Sequence, residues 1–293
     1  MASHSNTVPL FLSFRKYQVY NSPERVNGDT GEVYEIGDRI TNGGNAVVHR
    51  CFSRTTGDEY AIKVQLNLAP NRLERFRQEL RLLKEIDDEH LISHVDQGTL
   101  TAKIGKGAKE QTVVLDFLVM ELADSNLKQL MIKGHKLGFS SYMAQFKGLS
   151  QALAKVHEKA IHRDIKPENI LIVGETWKLS DFGLCKFSDR EEDITEPDEA
   201  LGPRYWMSPE STNQAIGSST DSISTHSDVY QMSSVFWYVV TGRHPTGCVV
   251  SDDWCGTSEL YRVLHKCLSH SKDQRLSNGR ALYDQLNLAS LPA

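Results

Sequence analysis

Two short strings carry residue types that can work together chemically: His162-Arg-Asp-Ile-Lys-Pro-Glu-Asn169 and, shortly after it, Asp181-Phe-Gly183. Asp164, Asn169 and Asp181 offer side-chain oxygens, the donors that hard divalent cations prefer. A third stretch, Ile40-Thr-Asn-Gly-Gly-Asn-Ala-Val-Val48, sets two glycines between apolar β-branched residues. Such a loop could fold over a phosphate. Asn-Gly and Gly-Asn are also common hairpin signals, so this loop alone leaves both readings open. For the two strings, the plain alternative is a polar loop around a satisfied buried histidine.

Together the two strings resemble the catalytic loop and magnesium loop of eukaryotic-type (Hanks-type) protein kinases, and the Lys-Pro-Glu-Asn ending is the serine/threonine form. The compact form of the chain resembles the bacterial members. The resemblance implies ATP-dependent transfer of the γ-phosphoryl group to serine or threonine hydroxyls of proteins, autophosphorylation included. It implies ATP and Mg2+ as cofactors, with Mn2+ as a substitute. Such transfer needs positioning and charge neutralisation more than covalent help. In that scheme Asp164 accepts the substrate hydroxyl proton, and Lys166 reaches the transferring phosphoryl. Asn169 and Asp181 hold the metal. Arg163 resembles the arginine that pairs with a phosphate or acid on many activation loops.

The same register reads the glycine-rich loop. Lys63, in "YAIKV", stands where kinases carry the strand lysine that meets the α/β-phosphates. Glu79 is its expected partner, ahead of Glu74 and Glu85; a solvent-facing glutamate is the alternative. Counting back from Lys63 puts Val48 at the adenine-packing position and Gly43 at the middle loop glycine. Thr41 and Ala46 fill the outer glycine positions. Gly43 permits close backbone approach, whereas Ala46 adds a methyl and Thr41 is stiff at χ1, so nucleotide binding is expected to be weakened rather than lost. The resemblance implies loop contacts from Ile40, Thr41, Asn42, Gly43, Gly44, Asn45 and Ala46. It implies adenine contacts from Val48, Ala61 and Leu171. Met120 would guard the back of the pocket, and backbone groups of Glu121 and Ala123 would bond the base. Glu210, in Met207-Ser-Pro-Glu210, would pair with Arg275, and Asp228 would support the catalytic-loop backbone.

Three features depart from the family pattern. Pro203 stands where serine/threonine kinases usually carry a threonine, which is the tyrosine-kinase habit. The stretch 189–199, "DREEDITEPDE", is already acidic. It could satisfy Arg163 unmodified, Ser188 or Thr195 could be phosphorylated, or the run is simply solvated. Only a short stretch separates "GRHP" at 242–245 from the helix expected at 258, so the C-lobe looks trimmed and substrate recognition is expected to shift to the N-terminal extension.

The elements that must position these residues follow from hydrophobic period. Segments over 34–66 alternate, with a hairpin turn at Thr56-Gly57-Asp58. Leu73, Phe76, Leu80, Leu83 and Ile86 recur at helical spacing over 71–86. Strands are expected near 91–100 and 111–120, and helices over 140–160, 227–242, 258–269 and 278–289. The expected fold is α+β: a bilobal kinase fold with a five-stranded antiparallel N-lobe (34–121), a hinge (121–124) and a mainly helical C-lobe (125–289) reduced after its central helix. Residues 1–33 read as a turn-rich N-terminal extension and 290–293 as a tail.

The chain has 293 residues and a formal charge of −5, which gives no broad positive face for nucleic acid. Its five cysteines (51, 185, 248, 255, 267) lack the pairing of a zinc site and read as free thiols in a reducing compartment. The longest apolar run, Val235-Phe-Trp-Tyr-Val-Val240, is far short of the roughly 20 residues a spanning helix needs. "VPLFLSF" at 8–14 lacks the basic start of a signal peptide. The expectation is a cytoplasmic protein with protein substrates and no nucleic-acid or membrane partner. Two rivals remain. A pseudokinase would have lost Lys63, Asp164 or Asp181, and none is lost. A small-molecule phosphotransferase would typically lack the Asp-Phe-Gly and Ser-Pro-Glu strings.

Overall fold

The computed structural model describes residues 7–12, 18–105, 107–134, 137–188, 205–217, 221–247 and 249–290. The chain divides by contact into two units, Met1–Leu83 with Ser93–Leu122, and Lys84–Ile92 with Ala123–Ala293.

The first unit is built on strands β1 (Thr7–Phe11), β2 (Val19–Pro23), β3 (Arg25–Asn27), β4 (Val33–Asn42), β5 (Ala46–Ser53) and β6 (Glu59–Gln65). Helix α1 (Pro70–Glu85) follows, then β7 (His94–Ile104) and β8 (Gln111–Glu121). All eight strands join one antiparallel sheet, in the order β1-β2-β7-β8-β6-β5-β4-β3. The five strands expected of residues 34–121 are β4 to β8. Three more, from residues 7–27, extend the sheet at both edges.

The sheet is curled. Beyond β3, Asp29 donates its N–H to the Gln97 carbonyl of β7 at 2.7 Å. Gly98 makes this approach feasible: a Cβ there would lie 2.7 Å from the Phe117 ring and 2.9 Å from the Asn27 carbonyl oxygen. Strand alternation turns one set of side chains inward, among them Leu10, Tyr20, Val26, Tyr34, Val47, Ile62, Leu115 and Phe117, and these form a single core. Each such buried side chain stabilises the fold by roughly 1.5–3 kcal/mol. The core edge also holds a carboxylate. Asp96 accepts from the N–H groups of Thr30 and Gln97 and the hydroxyls of Thr30 and Tyr34, which offsets the cost of burying it.

Helix α1 starts on Pro70, where a missing N–H costs nothing. Phe76, Glu79, Leu82 and Leu83 recur at helical spacing and are buried.

The second unit comprises β9 (Ser125–Asn126), α2 (Leu127–Ile132), α3 (Phe139–His157), β10 (Ala160–Ile161), β11 (Ile170–Val173), β12 (Thr176–Leu179) and β13 (Lys186–Phe187). These are followed by α4 (Pro209–Ala215), α5 (Thr225–Thr241), α6 (Ser258–Cys267) and α7 (Gly279–Ala289). Two small sheets, β12-β11-β9 and β10-β13, carry the loops of interest. The apolar α5 is buried over most of its length, as its composition predicts, and Phe236 stacks on Phe146 of α3 at 3.8 Å. It opens with a Ser224/Ser227 capping box and ends at Gly242, whose φ of 69° is the left-handed C-terminal conformation glycine favours. Between α5 and α6 the described residues form only a 3-10 turn, Ser251–Asp253, which is the reduced region.

Among the described residues no helix is long and apolar enough to cross a membrane. The acidic stretch with Thr195, Pro203 and Cys248 lie outside the described residues.

Candidate active site

In the first unit, strand register gathers the expected nucleotide residues on the sheet face opposite the core. Val48 and Leu118 flank Lys63, Met120 faces Ala61, and Thr41 faces Val48 across the β4–β5 pair. Side chains directly opposite one another share a face. The residues between them, Val47, Ile62, Val64 and Val119, point to the core instead. Lys63 Nζ donates to both carboxylate oxygens of Glu79 on α1, at 2.7 and 2.8 Å. Glu79 is 3% exposed, so it is not the solvent-facing glutamate of the alternative reading. Arg77 of α1 also meets Asp116 on the same sheet face.

The glycine-rich segment is a tight connection between β4 and β5. Gly43 N–H bonds the Ala46 carbonyl at 2.9 Å, and a Cβ at Gly43 would sit 3.2 Å from that oxygen. Glycine at 43 therefore answers crowding, since its φ is not in the left-handed region. Thr41, Gly43, Gly44 and Ile40 are exposed, Asn45 and Val48 half-buried, and Ala46 and Ala61 buried. Asn42 pairs with Val47 in the ladder. At the end of β8, the Glu121 N–H bonds the Ser93 carbonyl at 3.1 Å, and its carboxylate accepts the Ser93 N–H at 2.6 Å. Ala123 and Leu171, in the second unit, are half-buried.

The second unit brings together Asp164, Lys166 and Asn169. Lys166 Nζ lies 3.0 and 2.8 Å from the Asp164 carboxylate oxygens, and Asn169 Nδ2 donates to Asp164 Oδ2 at 2.8 Å and to its carbonyl at 2.9 Å. Asp164 is 7% exposed. Burial pushes its carboxyl up to about 6. Lys166 pulls the other way, and the nearby charge of Asp181 adds to the rise.

A buried acid holds this loop in shape. Asp228, near the start of α5, accepts the His162 N–H at 2.7 Å and the Arg163 N–H at 2.8 Å. Gln231, one turn on, accepts the Ile165 N–H and donates to the Arg163 carbonyl. Arg163 takes a φ of 71° and Asp181 a φ of 60°, left-handed backbone that costs a residue with a side chain about 1–3 kcal/mol. Burial alone would raise the Asp228 pKa. Hydrogen bonds from His157 and from the backbone N–H of Arg163 hold it below the ordinary value. His157 is fixed as one tautomer: Nδ1 accepts the Gly279 N–H, so Nε2 donates to Asp228. Sequence reasoning picked out Asp228 and missed His157 and Gln231. The signal for His157 was its place at the end of the helix that leads into 162–169.

The second string joins the first through Ser180, whose N–H and hydroxyl both donate to the Asn169 carbonyl at 2.9 Å, which sets Asp181 beside Asn169. His162, kept neutral by burial, packs on the Phe182 ring at 4.8 Å. With Nδ2 turned to Asp164, Asn169 leaves its amide oxygen for another partner. No three His, Cys, Asp or Glu side chains cluster as a metal cage among the described residues. An amide oxygen and one carboxylate suit magnesium, which keeps waters and substrate phosphates as its other ligands. The expected Glu210–Arg275 brace is present as a bidentate pair, both bonds at 2.9 Å.

A curled sheet with a lysine–glutamate pair, and a helical unit with an acid-anchored Asp-x-Lys loop, define a bilobal kinase-type fold. Residues 34–286 match the protein kinase domain family, and the chain belongs to it. Members of that family generally use ATP and magnesium. The chain is 24% identical to a probable serine/threonine-protein kinase of Clostridium acetobutylicum over 87% of its own length and 39% of the relative's. It is 30% identical to the serine/threonine-protein kinase pkn2 of Myxococcus xanthus, covering 75% of this chain and 24% of that one. Against the serine/threonine-protein kinase PknB of Mycobacterium leprae the values are 28%, 72% and 33%. The chain thus spans well under half the length of each of these relatives.

Proposed function

We propose that the chain is an ATP-dependent protein kinase that phosphorylates serine or threonine hydroxyls and modifies itself. One observation carries the reading most of the way: a nearly buried Asp164 carboxylate gripped by Lys166 and Asn169, on a loop whose backbone is tied to Asp228. The names of the relatives support the serine/threonine choice, as does Lys166.

Bound magnesium-ATP would supply the phosphoryl group and neutralise its charge. The chain's own residues do the rest. Asp164, with a pKa near 6, takes the proton from the incoming hydroxyl at neutral pH. Lys166 would meet the transferring phosphoryl group, and Asn169 Oδ1 and Asp181 would hold the metal. Lys63, oriented by Glu79, would meet the nucleotide phosphates, together with the loop that carries Thr41, Gly43 and Ala46. The Glu121 N–H is already bonded to Ser93, so that residue offers the base its carbonyl, and Ala123 offers an N–H. As the family register implies, Val48, Ala61, Met120 and Leu171 would supply apolar surface for the ring.

The test is phosphosite mapping by mass spectrometry after incubation with ATP, magnesium and a generic protein. Phosphoserine or phosphothreonine on the chain or the added protein is expected. Tight nucleotide binding without any transferred phosphate would assign the chain to the pseudokinases instead.

A further inference from the structure

Residues 7–27 lie outside the stretch that matches the kinase family, yet they reach both ends of the glycine-rich loop. On the entering side, β4 delivers the chain to Ile40 through Arg39. The Arg39 guanidinium lies 4.6 Å from the centre of the Phe11 ring in β1. On the leaving side, the Asn45 carbonyl accepts the N–H groups of Leu66 and Asn67, both at 2.9 Å, and its side-chain oxygen accepts from Asn67 Nδ2 at 2.9 Å. The Leu66 carbonyl in turn accepts the hydroxyl of Tyr20 in β2 at 3.1 Å. That hydroxyl is oriented by Gln18, whose Nε2 donates to it at 2.9 Å.

The two aromatic side chains belong to one strand pair, in which Phe11 faces Val19 and Leu10 faces Tyr20. The Tyr20 ring is itself part of the core, so its hydroxyl is presented from a rigid base. The loop needs such support. It is held internally by the Gly43–Ala46 contact, and two residues with side chains, Thr41 and Ala46, stand where glycines would let it settle on a phosphate unaided.

We propose that Phe11 and Tyr20 are positioning residues for the glycine-rich loop, with strands β1 and β2 clamping its two ends in the shape that receives the nucleotide phosphates. The inference rests on the ATP-binding reading above. The alternative is that these strands only bury apolar surface.

Two variants of the full chain separate the cases. Tyr20→Phe keeps the buried ring and removes the hydroxyl. Phe11→Leu keeps an apolar side chain and removes the π face. Hydrogen exchange is followed without nucleotide over 40–48 and 66–67, with 225–241 as a remote control, and ATP is varied in steady-state kinetics. In each variant the loop should exchange about 3- to 10-fold faster and the KM for ATP rise by a similar factor, the worth of one ordinary interaction. The kcat and the control segment should stay as in the unaltered chain. Unchanged loop exchange in both variants overturns the clamp. Faster exchange with an unchanged KM overturns its role towards nucleotide. Because exchange is read without ATP, it judges the clamp even if the unaltered chain transfers no phosphate, a result that would count against the kinase reading alone.

Discussion

Arg163 holds a left-handed backbone, φ 71°, while its N–H donates to Asp228 Oδ1 at 2.8 Å. The strained residue directly precedes Asp164, so the anchor sets where the proposed base points. Asp228→Asn keeps the shape but turns one acceptor into a donor that faces an N–H. Each lost hydrogen bond to a charged group is worth roughly 1.5–3 kcal/mol, so denaturant melts should show a loss of at least about 2 kcal/mol. The kcat should fall more than the KM for ATP rises. A variant as stable and as fast as the original would remove Asp228 from the account.

Lys63 and Glu79 form a pair with little access to water, side chains 14% and 3% exposed. Removing one partner of such a pair leaves a poorly solvated charge and costs about 3 kcal/mol or more. Glu79→Ala should therefore destabilise the chain in urea and weaken ATP binding by calorimetry. Lys63→Met should weaken ATP binding and destabilise the chain at least as much, because it leaves the more buried Glu79 carboxylate without its lysine.

Acid should unfold the chain through identifiable carboxyls. Asp228 and Glu210 are both held below their ordinary values of 3.8 and 4.5. At Glu210, burial pushes up and is outweighed by the hydrogen bonds of Arg275 and Ser227. With folded values below unfolded ones, the unfolded chain binds more protons as pH falls. The stabilisation is fully present above about pH 5 and is lost as pH drops through 4.5 and below. Thermal melts between pH 7 and 3.5 should show Tm falling steeply below pH 5. In Glu210→Gln the Tm should be lower at pH 7 and the acid limb shallower. An acid limb of unaltered steepness would show that Glu210 does not contribute.

Gly279 begins α7 against α3, where a Cβ would lie 2.4 Å from the Ala154 nitrogen. The obstacle is backbone, so the helices must part. Gly279→Ala should cost about 1–3 kcal/mol, the usual range for overpacking, measured by urea unfolding. It should also disturb the Gly279–His157 bond that fixes the tautomer facing Asp228.

Much of this was legible in the sequence because short strings encode local chemistry. The 162–169 and 181–183 strings pointed to the loop at Asp164, and "YAIKV" with a helical repeat pointed to Lys63 and Glu79. The helices over 140–289 followed from apolar period. The N-terminal strands did not, because β2 reads "VYNSP". Asn21, Ser22 and Pro23 look like a turn, although Ser22 is wholly buried on the face of Tyr20. Polar residues at inward positions erased the period of two. Asp96 was invisible for another reason: its partners Thr30 and Tyr34 lie far along the chain, and only the fold brings them together.

The most direct measurement of the central claim is transfer of the labelled γ-phosphoryl group from magnesium-ATP to protein hydroxyls, comparing the original chain with Asp164→Asn. Loss of a positioned base should cut kcat by about 10²–10⁴ while the variant melts at nearly the same temperature. Phosphoamino-acid analysis should show serine or threonine. Equal transfer by the two proteins, or none by the original, would contradict the account.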